Sequence, residues 1–170
     1  MSIQTGLFES PLGELIIKVS ESYLHSVLFM KSLKHPLAEK FEPFLPHHPH
    51  LLLDECKRQL DEYFSGKRSQ FNLPLQQEGT PFQQKVWSAL QSIPYGRTIS
   101  YLELSKRIGN TKATRAVGTT NGSNKISIIV PCHRVIGSNG ELTGYGGDLW
   151  RKKWLLDHES KYANGVQTLF

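Results

Sequence analysis

The sequence predicts an α+β chain in two parts: a small α/β domain over residues 1–78 and a mainly helical domain with a helix-turn-helix over residues 79–170. Three observations predict it. Short alternating apolar segments joined by tight turns open the chain, helix-start signatures cluster in the second part, and the charge changes sign between them.

Gly6 to Gly13 and Glu14 to Val19 form two strands hinged at a Ser10-Pro11-Leu12-Gly13 turn, and Tyr23 to Phe29 forms a third. Sequential strands with tight turns are expected to pair antiparallel. Lys34 to His50 is rich in Pro, His and Phe and is an irregular connection. Leu52, Leu53, Cys56, Leu60, Tyr63 and Phe64 recur at helical spacing, so a helix is expected over Leu51 to Phe64, stopped by Gly66. Cys56 falls on its apolar stripe and should be buried as a small hydrophobe.

A polar segment, Gln76-Gln77-Glu78-Gly79, marks the boundary. Thr80 as N-cap, Pro81 in the first turn and Gln83 at the capping-box position start a helix that buries Phe82, Val86, Trp87 and Leu90 and ends at Ile93-Pro94-Tyr95-Gly96. A second box, Ser100 with Glu103, opens a helix from Tyr101 to Ile108, closed by Gly109. A third helix is expected from near Thr111 through Arg115 to about Thr120. The Gly109-Asn110-Thr111 link gives this pair a helix-turn-helix pattern. Its second helix is built from small residues, Ala113, Thr114, Ala116 and Gly118 among them, with Arg115 as the single long projection. Such a helix suits close, sequence-tolerant approach better than reading of base edges.

The net charge of +5 is unevenly placed. Residues 1–80 carry 8 basic and 10 acidic residues, whereas 81–170 carry 12 and 5, a net +7. A polyanion partner and a solvated basic face both fit that surplus. Two cysteines are too few for a disulfide framework, so reduced thiols in a cytosolic setting are expected. No basic start precedes an apolar core and no apolar run approaches membrane-spanning length, so neither a signal peptide nor a membrane partner is expected.

Chemistry concentrates at Ile126-Ser-Ile-Ile-Val-Pro-Cys-His-Arg-Val-Ile136. The branched run is expected to be a buried strand that delivers Cys132 to its end beside His133. Adjacent positions on an extended chain face opposite ways, so His133 would reach the sulfur through a turn or a bridging water. A nucleophilic and an inert buried thiol are both open from spacing, because reactivity needs a lowered pKa. On the final helix, from Leu149 to about Glu159, Trp150, Trp154 and Leu155 are expected to pack and Lys152, Lys153 and Asp157 to face outward. Asp157 or Glu159 could orient the imidazole, and spacing does not choose between them.

The run PCHRVIGSNG, with Gly79 to Trp87, Ile93 to Tyr101 and Arg115 to Gly118 before it and LTGYGG and WLLDHE after it, resembles the O6-alkylguanine-DNA alkyltransferases, or methylated-DNA–protein-cysteine methyltransferases. The likeness spans almost all of residues 79–159 and extends to the N-terminal part in layout alone. It implies a ribonuclease-H-like N-terminal domain and irreversible, single-turnover transfer of an alkyl group from guanine O6 to Cys132, with O4-alkylthymine as a further substrate. By position it implies His133 as base through a water, Glu159 as its orienting group, Asn124 as the brace of the active-site turn, and Tyr101 in nucleotide extrusion and protonation of guanine N3. Arg115 would fill the vacated base stack, Ala113, Thr114, Ala116 and Gly118 would approach DNA, and Val135, Tyr145, Gly146 and Gly147 would line the base pocket. The implied partner is double-stranded DNA containing O6-alkylguanine, the protein a monomer without cofactor, and the location cytoplasmic, or nuclear in a eukaryote.

Lys125 and Ser127 stand where proline is frequent in that family, which would loosen the pocket wall, and Thr114 and Thr120 replace alanines of the DNA-facing helix. His47, His48, His50 and Cys56 cluster locally but match no zinc spacing, so no metal is expected. A lesion-binding protein would lack the cysteine that is present here. A cysteine hydrolase would not explain Arg115 on a small-residue helix, and a transcription factor would need more base-reading side chains.

Overall fold

The computed structural model describes residues 2–32, 49–145 and 148–163. Strands β1 (Gln4–Ser10), β2 (Gly13–Val19) and β3 (Leu24–Phe29) form an antiparallel sheet in sequential order. Its first turn is tied by Ser10 and by Gly13 at φ 105°, a conformation glycine adopts freely. Leu15, Ile17, Val19, Leu24, Val27 and Phe29 bury the sheet against helix α1 (Leu51–Phe64), capped by the His50 ring on the Leu53 amide. Cys56 lies on the buried stripe as expected, and burial pushes its thiol up to about 12.

Helix α2 (Pro81–Leu90) begins with the full Thr80/Gln83 capping box. The two-residue strand β4 (Ile99–Ser100) then leads into α3 (Tyr101–Arg107). Only half of the second box forms: Ser100 accepts from the Glu103 amide, while the Glu103 side chain turns to Arg107. The third helix starts as a 3-10 turn at Thr111–Ala113 and becomes α4 (Thr114–Gly122). Helix α5 (Leu149–Ala163) closes the chain.

The expected strand before Cys132 does not form. Residues 126–131 fold into a tight turn, with Val130 N–H bonded to Ile126 O at 3.0 Å and Ile128 held at φ 73°. The apolar run is buried by being wrapped rather than extended. The strand that does form is β5 (Val135–Ile136), after the cysteine, and it pairs parallel with β4.

The free edge of β3 joins the two halves. Leu24 exchanges backbone bonds with Pro74 and Gln76, and Val27 does so with Lys125 and Ser127. The turn at Lys125 to Ser127 is thus pinned to the strand by two backbone bonds, one on either side of Ile126. Ser127 is buried there, and Lys125 is exposed.

Two surface expectations on α5 are corrected. Lys152 is fully buried, its Nζ donating to the carbonyls of Val135 and Thr143, while Trp150 is 55% exposed. The lysine stem can run through apolar surroundings because the ammonium meets carbonyl acceptors at its end. Arg151 is buried too, its guanidinium lying between the Phe29 and Trp150 rings at 4.6 and 4.5 Å.

Candidate active site

Cys132 opens a single 3-10 turn, Cys132–Arg134, and is 5% exposed. Asn124, at the end of α4, faces it across the wrapped turn: Nδ2 donates to Val130 O at 2.9 Å and to Ile126 O at 3.2 Å, and lies 3.3 Å from Cys132 Sγ. The amide is oriented from its other end, where Oδ1 accepts from Gln77 Nε2 at 3.1 Å and from Ile126 N–H at 3.1 Å. Burial raises the Cys132 thiol above its ordinary value, against the opposing pull of Asn124 and the nearby Lys152 charge. The lowered pKa that would mark a free thiolate is absent, so this sulfur needs a base.

His133 is fully buried beside it. Its Nε2 meets Glu159 Oε2 at 2.7 Å, and its Nδ1 has no partner among the described residues. Burial lowers the imidazole pKa, outweighing the attraction of Glu159, so the ring is neutral near pH 7. For Glu159, burial alone would raise the carboxyl; His133 and Arg134 overcome it and hold it well below the usual carboxylate range. An ionised Glu159 fixes the tautomer: Nε2–H donates to it, and Nδ1 carries the lone pair.

Glu159 rather than Asp157 therefore meets the imidazole; Asp157 is exposed and pairs with Lys153. Two of its partners carry no sign in the sequence spacing. Arg134 grips it with two nitrogens, Nε to Oε1 at 2.7 Å and Nη2 to Oε2 at 3.1 Å, and Tyr63 donates to Oε2 at 2.6 Å from α1. An arginine inside an apolar run is the one available hint, since such a charge must find an acid.

Tyr101 stands at the start of α3 with its hydroxyl on Thr143 O at 2.8 Å. Burial, and beyond it the neighbouring Cys132, raise its phenol and that of the buried Tyr145, so both remain protonated donors. Val135 is buried on β5 with its carbonyl held by Lys152. Gly144, at φ 66°, lies so close to Tyr101 that a Cβ would stand 3.1 Å from the hydroxyl. Gly146 and Gly147 fall outside the described residues, as do His47 and His48. Of the remaining cluster, His50 caps α1 and Cys56 is buried in the core, and no group of three metal-ligating side chains occurs among the described residues.

On α4, Arg115 and Ala116 are exposed and Thr114 and Gly118 are half-buried, as is Ala113 in the 3-10 turn before it. The Thr114 hydroxyl bonds inward to Ser105 and to Thr111 O. Thr120 is buried against α2, where its carbonyl accepts from Trp87, so its departure from alanine does not bear on the outer face. Lys106, Arg107 and Lys112 are exposed around the same helix pair. Among the described residues no helix is long and apolar enough to cross a membrane.

Comparison with known proteins follows the same two-part layout. Residues 3–77 match the ribonuclease-like domain of 6-O-methylguanine DNA methyltransferase, and residues 81–161 match its DNA-binding domain. The constitutive methylated-DNA–protein-cysteine methyltransferase of Bacillus subtilis is 49% identical, covering 89% of this chain and 92% of its own. The Methanosarcina acetivorans enzyme of that name is 47% identical, over 90% and 96%. A crystal structure of the Mycobacterium tuberculosis protein in complex with DNA superimposes with a TM-score of 0.81 at 41% identity, over 99% of this chain and 98% of that one. With both domains matched in order and relatives near half identity along almost the full length, this chain belongs to the 6-O-methylguanine DNA methyltransferase family.

Proposed function

We propose that this chain repairs DNA by direct reversal, extruding O6-alkylguanine from the duplex and moving the alkyl group onto Cys132 in a single, irreversible turnover. The observation that carries the reading is a pair of buried contacts at one 3-10 turn, Asn124 against Cys132 Sγ and His133 against Glu159. With Nε2–H committed to Glu159, His133 Nδ1 accepts the thiol proton through a bridging water as Sγ attacks the alkyl carbon in line. The S–C bond forms, the C–O bond breaks, and its electron pair stays on the base. Tyr101 exchanges its Thr143 acceptor for guanine N3 and donates the proton that lets guanine leave; the proton on His133 returns to Tyr101 through solvent. Glu159 stabilises the transient imidazolium. The thioether has no leaving tendency toward water, hence one turnover.

The target oxygen lies inside the duplex, so extrusion is required, at an unstacking cost of about a few kcal/mol that is least for a poorly paired lesion. Exposed Arg115 enters the stack, while Ala113, Thr114, Ala116 and Gly118 let the backbone approach the minor groove without demanding a sequence. Val135, Tyr145, Gly146 and Gly147 line the base pocket, which also takes O4-alkylthymine. The reading includes domains at residues 1–78 and 79–170, a monomer, and action wherever the cell keeps its DNA, the cytoplasm or a nucleus.

The test is to mix the reduced protein with a duplex containing O6-methylguanine and map its peptides by mass spectrometry. One methyl group is expected on the Cys132 peptide and none on that of Cys56, with no transfer by Cys132→Ala. Binding without transfer by the intact protein would overturn the reading in favour of lesion recognition alone.

A further inference from the structure

We propose that Tyr63, delivered by the N-terminal helix α1, is a positioning residue of the catalytic relay that sets how strongly Glu159 holds His133. The inference rests on the alkyl-transfer reading above and adds to it a residue from the other domain.

Tyr63 is fully buried, and its hydroxyl donates to Glu159 Oε2 at 2.6 Å, the same oxygen that takes His133 Nε2–H at 2.7 Å and Arg134 Nη2 at 3.1 Å. The ring is fixed on several sides. Phe64 and Tyr95 meet it edge-on with centroids at 5.3 and 6.2 Å, Phe71 lies at 5.5 Å and His158 at 5.2 Å. His158 Nε2–H also donates to the Tyr63 carbonyl at 2.8 Å, so α1 and α5 are bonded at adjacent positions on α5. Packing alone would be served by phenylalanine; the hydroxyl is the part that reaches the relay.

Donors that share one carboxylate oxygen compete for its electron density. Each bond that Oε2 accepts from Tyr63 or Arg134 weakens its hold on the His133 proton, and so disfavours the imidazolium relative to the neutral base. The groups facing this pair are Tyr63 from α1, Tyr95 from the segment before β4, Arg134 from the 3-10 turn, Tyr145 from the segment before α5, and Lys152 and His158 from α5. Arg134 and Lys152 repel a protonated His133, Glu159 attracts it, and Tyr63 tempers that attraction without adding charge.

The experiment measures the rate of methyl transfer from an O6-methylguanine duplex against pH for the wild-type chain and Tyr63→Phe. The acid limb of the profile is expected to move up by about half to one pH unit, with the plateau about tenfold lower. A merely structural role would lower the plateau and leave the limb in place, and a coincident limb overturns the inference. Should Tyr63→Phe not fold, 3-fluorotyrosine at position 63 keeps the packing and strengthens the donor. Its limb is expected to move down, and an unmoved limb overturns the inference equally. The His133 ring titration, followed by NMR in the same proteins, needs no transfer. A wild type that fails to transfer while its His133 midpoint still responds to Tyr63→Phe would sink the proposed function and leave the coupling standing.

Discussion

Tyr101 and Lys152 bond to the same atom: the Thr143 carbonyl accepts the tyrosine hydroxyl and the lysine ammonium, each at 2.8 Å. Because Lys152 also holds Val135 O, a single buried cation ties the strand after the cysteine to the segment that faces Tyr101. Lys152→Met removes that donor at both carbonyls. It is expected to cost about 2–3 kcal/mol of stability, read from denaturant midpoints. The thiol of Cys132, which the lysine charge helps to lower, should titrate higher in the variant.

Asn124 is expected to matter both through the turn it braces and through the sulfur. Asn124→Ala withdraws the donor 3.3 Å from Sγ, and transfer should slow by about 10- to 100-fold, the worth of a hydrogen bond to a developing charge. Gln77→Ala leaves Asn124 in place but removes one of the two donors to its Oδ1, the Ile126 N–H remaining. A smaller loss in the same direction is expected from single-turnover kinetics, and an unchanged rate would show that the amide needs no such guide.

Acid should destabilise the protein in two stages. His133 and His158 both have lowered folded pKa values, so the unfolded chain takes up protons first as pH falls below their ordinary 6.5. Glu159 is likewise depressed from its ordinary 4.5, so its contribution is present above that value and is lost as pH falls through the folded one. Denaturant unfolding across this range checks the two windows. Glu159→Gln should remove the Glu159 part of the second stage and leave that of Glu55, whose carboxyl Arg58 also holds down, and near neutral pH it should cost about 3–5 kcal/mol, because Arg134 is left buried without its acid.

Arg115 is exposed, and Arg115→Ala should leave the unfolding midpoint unchanged. Transfer from duplex DNA is expected to fall far more than transfer from a free O6-alkylguanine base, because the arginine serves extrusion and not displacement. Equal losses on the two substrates would refute that role.

Several features could be read in the residues because the physics behind them is local. The Thr80/Gln83 box, the Ser10 to Gly13 turn and the apolar stripe of α1 each depend on neighbours a few positions away, and each formed as expected. Cys132, His133, Glu159 and Asn124 were legible through the resemblance, and the structure brings them together.

What failed were inferences about environment. The branched run before Cys132 has strand composition, yet the Asn124 amide and the edge of β3 supply its hydrogen bonds when it is wrapped, so it wraps. Lys152 has the composition of a surface residue, yet two carbonyls make its burial tolerable. The sequence by itself determined where the helices α1, α2 and α3 begin and that Cys132 and His133 lie side by side. Tertiary structure alone decided that burial would raise the thiol, that Arg134 would grip Glu159, and that Tyr63 would reach the same carboxylate from 96 residues away. Desolvation and hydrogen-bond partnership depend on what surrounds a group in space, and no spacing along the chain encodes them.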